Sequence, residues 1–325
     1  MIRKLALLLV SLLIISCSTV NNSLIEEVNN RYPPLKPFKE SNFIDIKSTR
    51  IHYCQWVVDL ESYPNPKGTI LLIHGVSGST YNWRYLAPKL QQNGWNVLSI
   101  DLPPFGFSGE KQPSGVSFDP LPKDSNSRSE LIWEVTEQVL DQTDFPLIVL
   151  GHSLGGRIAT HMTLNRPKQV LQLILLAPAV YGSSATPKIT KYWPFNKLVL
   201  NNSSRFMQNL DIMRYVMNKA YGRKITEDEF CGNVAPFLRE GVPEACGEWV
   251  IESLDSEEPE FGKIAIETLI LWGKKDRIVK NRGKKLEAEM LNAKYIEIPG
   301  KSHCIMDTDS EMVLHGILDF IENKD

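Results

Sequence analysis

The sequence predicts an α/β domain with a mostly parallel central sheet, flanked by helices and carrying one inserted helical lid. Three observations support this fold class. Short apolar runs recur along the chain, helical patterns separate most of them, and one long stretch interrupts the alternation. The runs are continuously apolar instead of alternating with polar residues, which is typical of strands covered by helices on both faces.

The strands and helices can be placed in order along the chain. The predicted strands are Ile51–Asp59, Thr69–Ile73, Trp95–Leu102, Pro146–Leu150, Leu171–Leu176, Thr268–Trp272 and Tyr295–Ile298. The predicted helices of the core are Tyr85–Asn93, Arg128–Asp141, Leu154–Asn165, Gly283–Leu291 and Glu311–Glu322. This order of strands and helices predicts one core made of two chain segments, residues 41–178 and 262–325.

The interruption, residues 179–261, has no convincing strand pattern and separates two predicted strands of the core. Phe206, Leu210, Met213 and Met217 recur at helical spacing, so they mark one face of a helix. Thr226 followed by Glu229 is the capping-box pattern that opens a second helix. We therefore expect a helical lid here.

Composition excludes several functional classes. The 325 residues include 42% hydrophobic ones, enough for a large buried core. A formal net charge of −2 gives no electrostatic reason to expect a nucleic-acid partner. The five cysteines lack zinc-ligand spacing. We expect neither a metal nor an organic cofactor.

The first sixteen residues predict a signal peptide. Two cations, Arg3 and Lys4, precede the apolar run Leu5–Ile15, which is too short to span a hydrocarbon layer comfortably. The run ends at Ser16-Cys17 and resembles the lipobox of bacterial lipoproteins. The resemblance implies cleavage before Cys17 and acylation of that residue, for example with palmitate. A secretory signal with an incidental cysteine and an uncleaved anchor remain the alternatives.

The lipoprotein resemblance also implies a location and a tether. Ser18 follows the cysteine, and in such proteins a residue other than Asp at this position implies sorting to the outer membrane. We therefore expect a lipid-anchored protein of the cell envelope that faces the periplasm. Residues 17–40 are polar and contain Pro33, Pro34 and Pro37, so we predict a tether between the lipid and the folded body.

The strongest chemical signal is Gly151-His152-Ser153-Leu154-Gly155. The motif directly follows a predicted strand and precedes a predicted helix, which is the setting that a nucleophile elbow requires. Small residues are needed there because the turn is strained and crowded. Ser153 is therefore the candidate nucleophile.

A serine nucleophile needs a base and an acid that orients the base. Of the six histidines, His303 lies in a loop after the last predicted strand, where its ring can reach over the sheet edge. Asp276 follows the strand at 268–272, and the order Ser, Asp, His is the one expected of this architecture. Asp307 lies too close behind His303 to be preferred, and Asp101 is expected to be structural.

Backbone amides complete the predicted site. The N–H of Leu154, directly after the nucleophile, is one candidate donor to an oxyanion. The loop His74-Gly75-Val76 follows an early strand, and the Val76 N–H is the expected second donor.

Together these residues resemble the α/β-hydrolase family over nearly all of the chain beyond residue 40. The segments that carry the resemblance are LIHG with Trp83 shortly after, DLPPFGFSG at 101–109, GHSLGG, LWGKKDRIV and PGKSHCIM. Pro104 departs from the family pattern, which usually has glycine at this position. Serine at the elbow disfavours the dehalogenase and epoxide-hydrolase branches, which use aspartate.

The site predicts a serine hydrolase that cleaves small or medium carboxylic esters through an acyl-enzyme. Hydrolysis of carbon–carbon bonds and acyl transfer would use the same three residues and stay open. A binding protein with a lid and a vestigial triad, or an envelope-assembly partner, is disfavoured by the intact set of catalytic residues.

Besides Cys17, four cysteines remain after signal cleavage. Cys231 and Cys246 flank the second predicted helix of the lid, and we name them as a candidate disulfide. Cys304, next to His303, is expected to pack in the core and not to act as a second nucleophile.

Overall fold

The computed structural model describes residues 22–33, 36–47, 49–109, 124–181, 209–239 and 258–322, together with residues 242 and 245. The strands are β1 (Ser41–Ile46), β2 (Thr49–Trp56), β3 (Thr69–Ile73), β4 (Asn96–Ile100), β5 (Leu147–His152), β6 (Val170–Leu176), β7 (Thr268–Gly273) and β8 (Ala293–Ile298). The helices within these ranges are α1 (Asn22–Arg31), α2 (Ala87–Gln92), α3 (Ser125–Val139), α4 (Leu154–Asn165), α5 (Leu210–Tyr221), α6 (Glu227–Val234), α7 (Gly283–Glu289), α8 (Ile305–Thr308) and α9 (Ser310–Glu322).

The strands form one sheet in the order β1-β2-β4-β3-β5-β6-β7-β8. β1 and β2 pair antiparallel with each other, β2 pairs antiparallel with β4, and all other neighbours are parallel. Every residue of β3, β5 and β7 is buried. The apolar runs are continuous because both faces of these strands are buried, as predicted. The predicted fold class, an α/β fold with a mostly parallel sheet, is confirmed.

Sequence analysis found seven of the eight strands and missed β1. In β1 only the two end residues, Ser41 and Ile46, are buried, so the segment has no apolar run to recognise. It is an edge strand that pairs with β2 along its whole length, from Ser41 opposite Cys54 to Ile46 opposite Thr49. Polar and charged side chains such as Asp45 are common on edge strands, where they discourage pairing with another chain.

The segment 17–40, predicted to be a polar tether, contains an ordered helix. Val28 of α1 is fully buried and Tyr32 is 8% exposed, in a cluster with Tyr81 and Cys231. Arg31 Nη1 lies 3.1 Å from Asp228 Oδ1 on α6. Residues 22–31 of the predicted tether are therefore helical and packed on the folded body, and the tether itself stays a prediction.

The longest described stretch of the insertion, 209–239, contains the helices α5 and α6. Glu229 N–H donates to Thr226 Oγ1 at 3.2 Å, and Thr226 N–H donates to Glu229 Oε2 at 2.8 Å. This is the predicted capping box, and it opens α6. Met213 on α5 is 4% exposed and belongs to the main core, whereas Phe206 lies outside the described residues.

Residues 1–21, with the predicted signal peptide and Cys17, lie outside the described residues. Within the ranges that the structure covers, no helix combines the length and the apolar character that crossing a membrane requires.

Candidate active site

Ser153 occupies a sharp turn between β5 and α4. Its φ of 53° and ψ of −116° are a strained conformation for a residue with a side chain. A Cβ on Gly155 would lie 2.1 Å from the Ile73 carbonyl oxygen, and one on Gly151 would lie 2.2 Å from the Gly155 carbonyl oxygen. The two motif glycines are therefore required, because any side chain would push the elbow away from β3 and from its own helix.

Hydrogen bonds to the main chain hold the elbow in place. Ser153 N–H donates to the Leu176 carbonyl at 3.0 Å, and the Ser153 carbonyl accepts from Gly156 at 3.1 Å and from Ala179 at 2.8 Å. The side chain stands at the N-terminus of α4, where the helix dipole favours developing negative charge. This is the position that sequence analysis predicted for the nucleophile.

Asp276 and His303 are directly paired. His303 Nδ1 lies 2.7 Å from Asp276 Oδ2, which also accepts from Trp272 Nε1 at 3.0 Å. Asp276 Oδ1 accepts from the N–H groups of Ile278 at 2.8 Å and Val279 at 3.0 Å. The carboxylate thus has four donors around it.

This environment keeps Asp276 ionised. Burial alone raises its pKa, but the hydrogen bond and the charge of His303, with the two backbone N–H donors, outweigh burial and lower the pKa. An ionised Asp276 requires a proton on His303 Nδ1. The Nε2 atom of a neutral His303 is then an unprotonated base.

Gly273 explains how the two loops come together. A Cβ on Gly273 would lie 2.2 Å from the Ser302 carbonyl oxygen, so only glycine lets the His303 loop lie against the end of β7. Lys275 N–H donates to the Lys301 carbonyl at 2.8 Å and fastens the Asp276 turn to the same loop. The sequence contains this glycine, but only the fold shows what approaches it.

His152 links the elbow to the His303 loop. Its ring centroid lies 4.6 Å from that of His303, and its Nε2 lies 3.1 Å from the His303 carbonyl oxygen. Burial, reinforced by the neighbouring His303, holds the pKa of His152 well below its usual value, so the ring is neutral and Nε2–H donates. Sequence analysis gave this residue no role, although its place next to Ser153 was the available signal.

The loop with Val76 lies against Ser153 on its other side. A Cβ on Gly75 would lie 2.9 Å from Ser153 Cβ. The Gly75 carbonyl accepts from His74 Nδ1 at 2.7 Å and from Gly78 N–H at 3.1 Å. In a trans peptide the C=O and the N–H point in opposite directions, so two donors on this carbonyl fix the direction of the Val76 N–H.

His74 has a defined tautomer. Its Nε2 accepts from Leu102 N–H at 2.8 Å, which leaves the proton on Nδ1 to donate to Gly75. Burial lowers the pKa of His74, so the ring stays neutral. Sequence analysis assigned the Val76 amide as a donor but missed the side chain that orients it. The second predicted donor, Leu154, is the first residue of α4.

A second Ser-His-Asp arrangement lies inside the core. His52 Nδ1 is 2.7 Å from Asp101 Oδ2, and His52 Nε2 is 2.8 Å from Ser41 Oγ. His52 and Asp101 are fully buried, and Ser41 Oγ already accepts from Phe38 N–H at 3.0 Å. This serine lies in an extended strand instead of a strained elbow at a helix N-terminus. The relay joins β1, β2 and β4, in agreement with the structural role predicted for Asp101.

The three cysteines that the structure describes, Cys54, Cys231 and Cys304, are buried. Cys231 is buried in the cluster with α1, and Cys246 lies outside the described residues, so the candidate disulfide between them stays a prediction. Burial raises the pKa of Cys304 well above its usual value, which keeps the thiol protonated. Among the residues that the structure describes, no group of three or more His, Cys, Asp or Glu could hold a metal ion.

Comparison with known proteins places the chain among hydrolases. The profile of the family described as serine aminopeptidase, S33, matches residues 64–311. An uncharacterized hydrolase, YugF, from Bacillus subtilis is 25% identical over 268 residues, covering 81% of this chain and 93% of the relative. A 2-hydroxy-6-oxononadienedioate/2-hydroxy-6-oxononatrienedioate hydrolase from Escherichia coli is 27% identical, covering 76% of this chain and 83% of the relative.

Solved structures agree on the fold. A membrane phospholipase A described as a bacterial virulence factor superposes with a TM-score of 0.68 at 21% identity, covering 99% of this chain and 98% of the other. At this identity the likeness shows the α/β-hydrolase fold alone.

Proposed function

The chain belongs to the serine aminopeptidase S33 family of α/β-fold hydrolases, and from this premise we propose that it cleaves carboxylic esters through an acyl-enzyme on Ser153. The observation that carries the proposal is the 2.7 Å contact between Asp276 Oδ2 and His303 Nδ1. The His303 carbonyl also contacts His152, the residue before Ser153 in the elbow. The protein groups that this chemistry needs are side chains and backbone amides.

In the first step the Ser153 hydroxyl attacks the carbonyl carbon of the ester while His303 Nε2 takes its proton. The positive charge that forms on His303 faces the ionised Asp276, which also keeps the ring in the required tautomer. A carboxylate with four donors has little freedom to rotate away, so the base stays oriented during proton transfer.

Backbone amides stabilise the negative charge that forms on the carbonyl oxygen. The Val76 and Leu154 N–H groups are the proposed donors, and such donors are worth about 3–4 kcal/mol each in related chemistry. When the tetrahedral intermediate collapses, His303 gives its proton to the leaving alcohol. Water then attacks the acyl carbon while His303 Nε2 takes its proton. His303 returns this proton to the Ser153 oxygen as the carboxylic acid leaves.

A second candidate function is hydrolysis of a carbon–carbon bond. It is favoured by the Escherichia coli relative, whose name describes hydrolysis of an oxo-dienedioate. Acyl transfer to an alcohol, and cleavage of an amide bond as the family description suggests, would use the same residues. All four reactions share the roles proposed for Ser153, Asp276 and His303, so the substrate panel has to separate them.

The test compares the full-length protein with Ser153→Ala on matched substrates. The panel contains p-nitrophenyl esters of increasing chain length, the corresponding p-nitroanilides, and a 2-hydroxy-6-oxo-dienoate. We expect ester turnover to dominate, and its loss in the alanine variant by about 1,000-fold or more. Fluorophosphonate labelling at Ser153 should accompany the activity. Undiminished turnover in Ser153→Ala would refute the role of Ser153 as the nucleophile. A parent protein that shows neither turnover nor labelling would refute the proposal and leave a binding protein.

We also propose that the protein is lipid-anchored through Cys17 in the outer membrane and faces the periplasm. The support is the resemblance of residues 14–17 to a lipobox, and α1 begins only five residues after Cys17. Five extended residues span at most about 18 Å, so the folded body would lie close to the lipid surface. Labelled palmitate should be incorporated by the natural protein and not by Cys17→Ser, and the variant should leave the outer-membrane fraction.

A further inference from the structure

The insertion is fastened to the loop that carries the base. The N–H groups of His303 and Cys304 both donate to the Ala220 carbonyl, at 3.0 and 3.1 Å. Ser302 Oγ donates to the Lys219 carbonyl at 3.1 Å. Three consecutive residues around the base thus bond to the last turn of α5, which belongs to the insertion and not to the sheet.

Side chains extend this attachment to the loop of Val76. The Tyr221 hydroxyl donates to Asp307 on α8 and accepts from Asn233 Nδ2 at 3.0 Å. Asn233 Oδ1 accepts from Asn82 Nδ2 at 3.1 Å. Asn82 lies in the short helix Thr80–Trp83, directly after the Val76 loop, and its Oδ1 accepts from Ser79 N–H at 3.0 Å.

Arg84 makes a second connection between the Val76 loop and the His303 loop. Its Nη1 donates to Asp307 Oδ2 at 2.9 Å, and its Nη2 lies 2.6 Å from Asp307 Oδ1. Nη1 also donates to the Tyr81 carbonyl at 3.1 Å. The five side chains Asn82, Arg84, Tyr221, Asn233 and Asp307 therefore form an unbroken series of contacts, which the backbone of residues 81–84 closes into a ring, called the polar ring below.

The polar ring is buried and highly constrained. Asn82, Tyr221, Asn233 and Asp307 are between 4% and 7% exposed, and the Arg84 side chain is 16% exposed. A buried polar group that loses its partner retains the full cost of its desolvation. A shift of one loop relative to the other would therefore leave buried polar groups of the ring without partners, at a cost in free energy.

We propose that the polar ring is a positioning device that holds the His303 loop and the Val76 loop at a fixed separation on either side of Ser153. This inference rests on the proposed function and adds to it five residues that make no contact with the reacting atoms. The base must take the proton of Ser153 while the amides bind the oxygen of the carbonyl group that Ser153 attacks. The distance between the two loops therefore affects the rate of the chemical step. In this role α5 and α6 are a brace for the site and not a cover that lifts from it.

The test removes one oxygen atom from the ring. Tyr221→Phe keeps the buried aromatic body and breaks the links to both Asp307 and Asn233. We expect kcat for a p-nitrophenyl ester to fall about 10-fold with KM changed less than about twofold, as for a displaced catalytic group. The matched control is Tyr295→Phe on the edge strand β8, whose lost hydroxyl contacts Asn281 and Glu297 and no member of the polar ring, and it should leave both constants unchanged.

A double variant distinguishes one unit from separate contacts. Asn233→Ala cuts the ring on the side of the Val76 loop and should also lower kcat about 10-fold. Asn82 and Tyr221 share no contact, so their double variant is the informative one. If the ring acts as one unit, Tyr221→Phe with Asn82→Ala should lower kcat no more than the worse single variant, whereas the effects of independent contacts would multiply. Folding of each variant is checked by thermal unfolding, and if Tyr221→Phe does not fold, Asn233→Ala carries the same comparison of kcat with KM.

The outcomes separate this inference from the proposed function. Ring variants that keep the parent kcat within about twofold, or effects that multiply, overturn the positioning role while Ser153→Ala stays inactive. A change confined to KM also overturns it, because a loop separation that affects only binding is not positioning for the chemical step. Activity that survives in Ser153→Ala overturns the proposed function itself, whatever the ring variants do.

Discussion

Replacing Asp276 with asparagine tests the central pair of the site with the smallest possible change. The carboxylate accepts on Oδ1 from two backbone N–H groups and on Oδ2 from Trp272 and His303. An amide offers one acceptor oxygen and one NH2 donor in the same volume. Whichever way it is oriented, the NH2 faces two groups that also donate.

The better orientation keeps the amide oxygen toward the backbone and turns the NH2 toward His303. His303 Nδ1 must then accept, which moves its proton to Nε2 and removes the base. The wrong tautomer in a serine hydrolase lowers kcat by about 10,000-fold, or roughly 5.5 kcal/mol of transition-state stabilisation. The Trp272 N–H also loses its acceptor, and a lost hydrogen bond to a charged group costs about 1.5–3 kcal/mol of folding stability.

The pH dependence of this stability loss has a definite sign. The pKa of Asp276 is lowered in the folded protein, so its contribution is present above the unfolded pKa of an aspartate and is lost as pH falls through the folded value. Urea midpoints of the parent and Asp276→Asn should therefore differ at pH 7 and converge in acid. Equal midpoints at pH 7 would show that the four donors contribute no net stability.

The assay is initial-rate hydrolysis of a p-nitrophenyl ester, with Ser153→Ala as the floor and Asp45→Asn as the control. Asp45 lies on the edge strand β1 and contacts none of the catalytic residues. The control should retain parent kcat and stability. Asp276→Asn with kcat within about threefold of the parent would refute the reasoning, because His303 would then not depend on this carboxylate for its tautomer.

Three further outcomes are expected. Gly155→Ala should lower the midpoint of thermal unfolding by several degrees, because overpacking costs roughly 1–3 kcal/mol. In the control Gly316→Ala the new Cβ would lie 3.6 Å from the nearest atom, so its midpoint should not change. Equal midpoints of the two variants would contradict the tight packing of the elbow. Because burial lowers the pKa values of His74 and His152, urea midpoints should fall as pH drops from 6.5 through those lowered values, and a flat profile would contradict their neutral state. Val28→Asp should destabilise the protein by about 3–5 kcal/mol, because it places an unpaired charge in a buried position. Unfolding monitored by circular dichroism measures this against Glu27→Asp on the same helix, and equal stability of the two variants would show that α1 does not dock.

Most of the sheet and the main candidate residues could be predicted from local patterns. A buried parallel strand leaves a continuous apolar run, and the elbow at Ser153 leaves two glycines where a Cβ would collide with backbone. Asp276 and His303 each follow a strand of the parallel sheet, and the carboxyl ends of such strands meet at one edge. Their meeting could therefore be expected before any contact was known.

Only the tertiary structure decided which polar groups hold this arrangement together. Asn82 meets Asn233 across 151 positions of sequence, Tyr221 meets Asp307 across 86, and α1 docks on a helix about 200 residues away. A hydrogen bond between distant residues leaves no periodicity in either segment, because neither side chain is distinctive without the other. Local backbone chemistry thus determined the strands and the elbow, and packing determined the partners of His74, His152 and the polar ring.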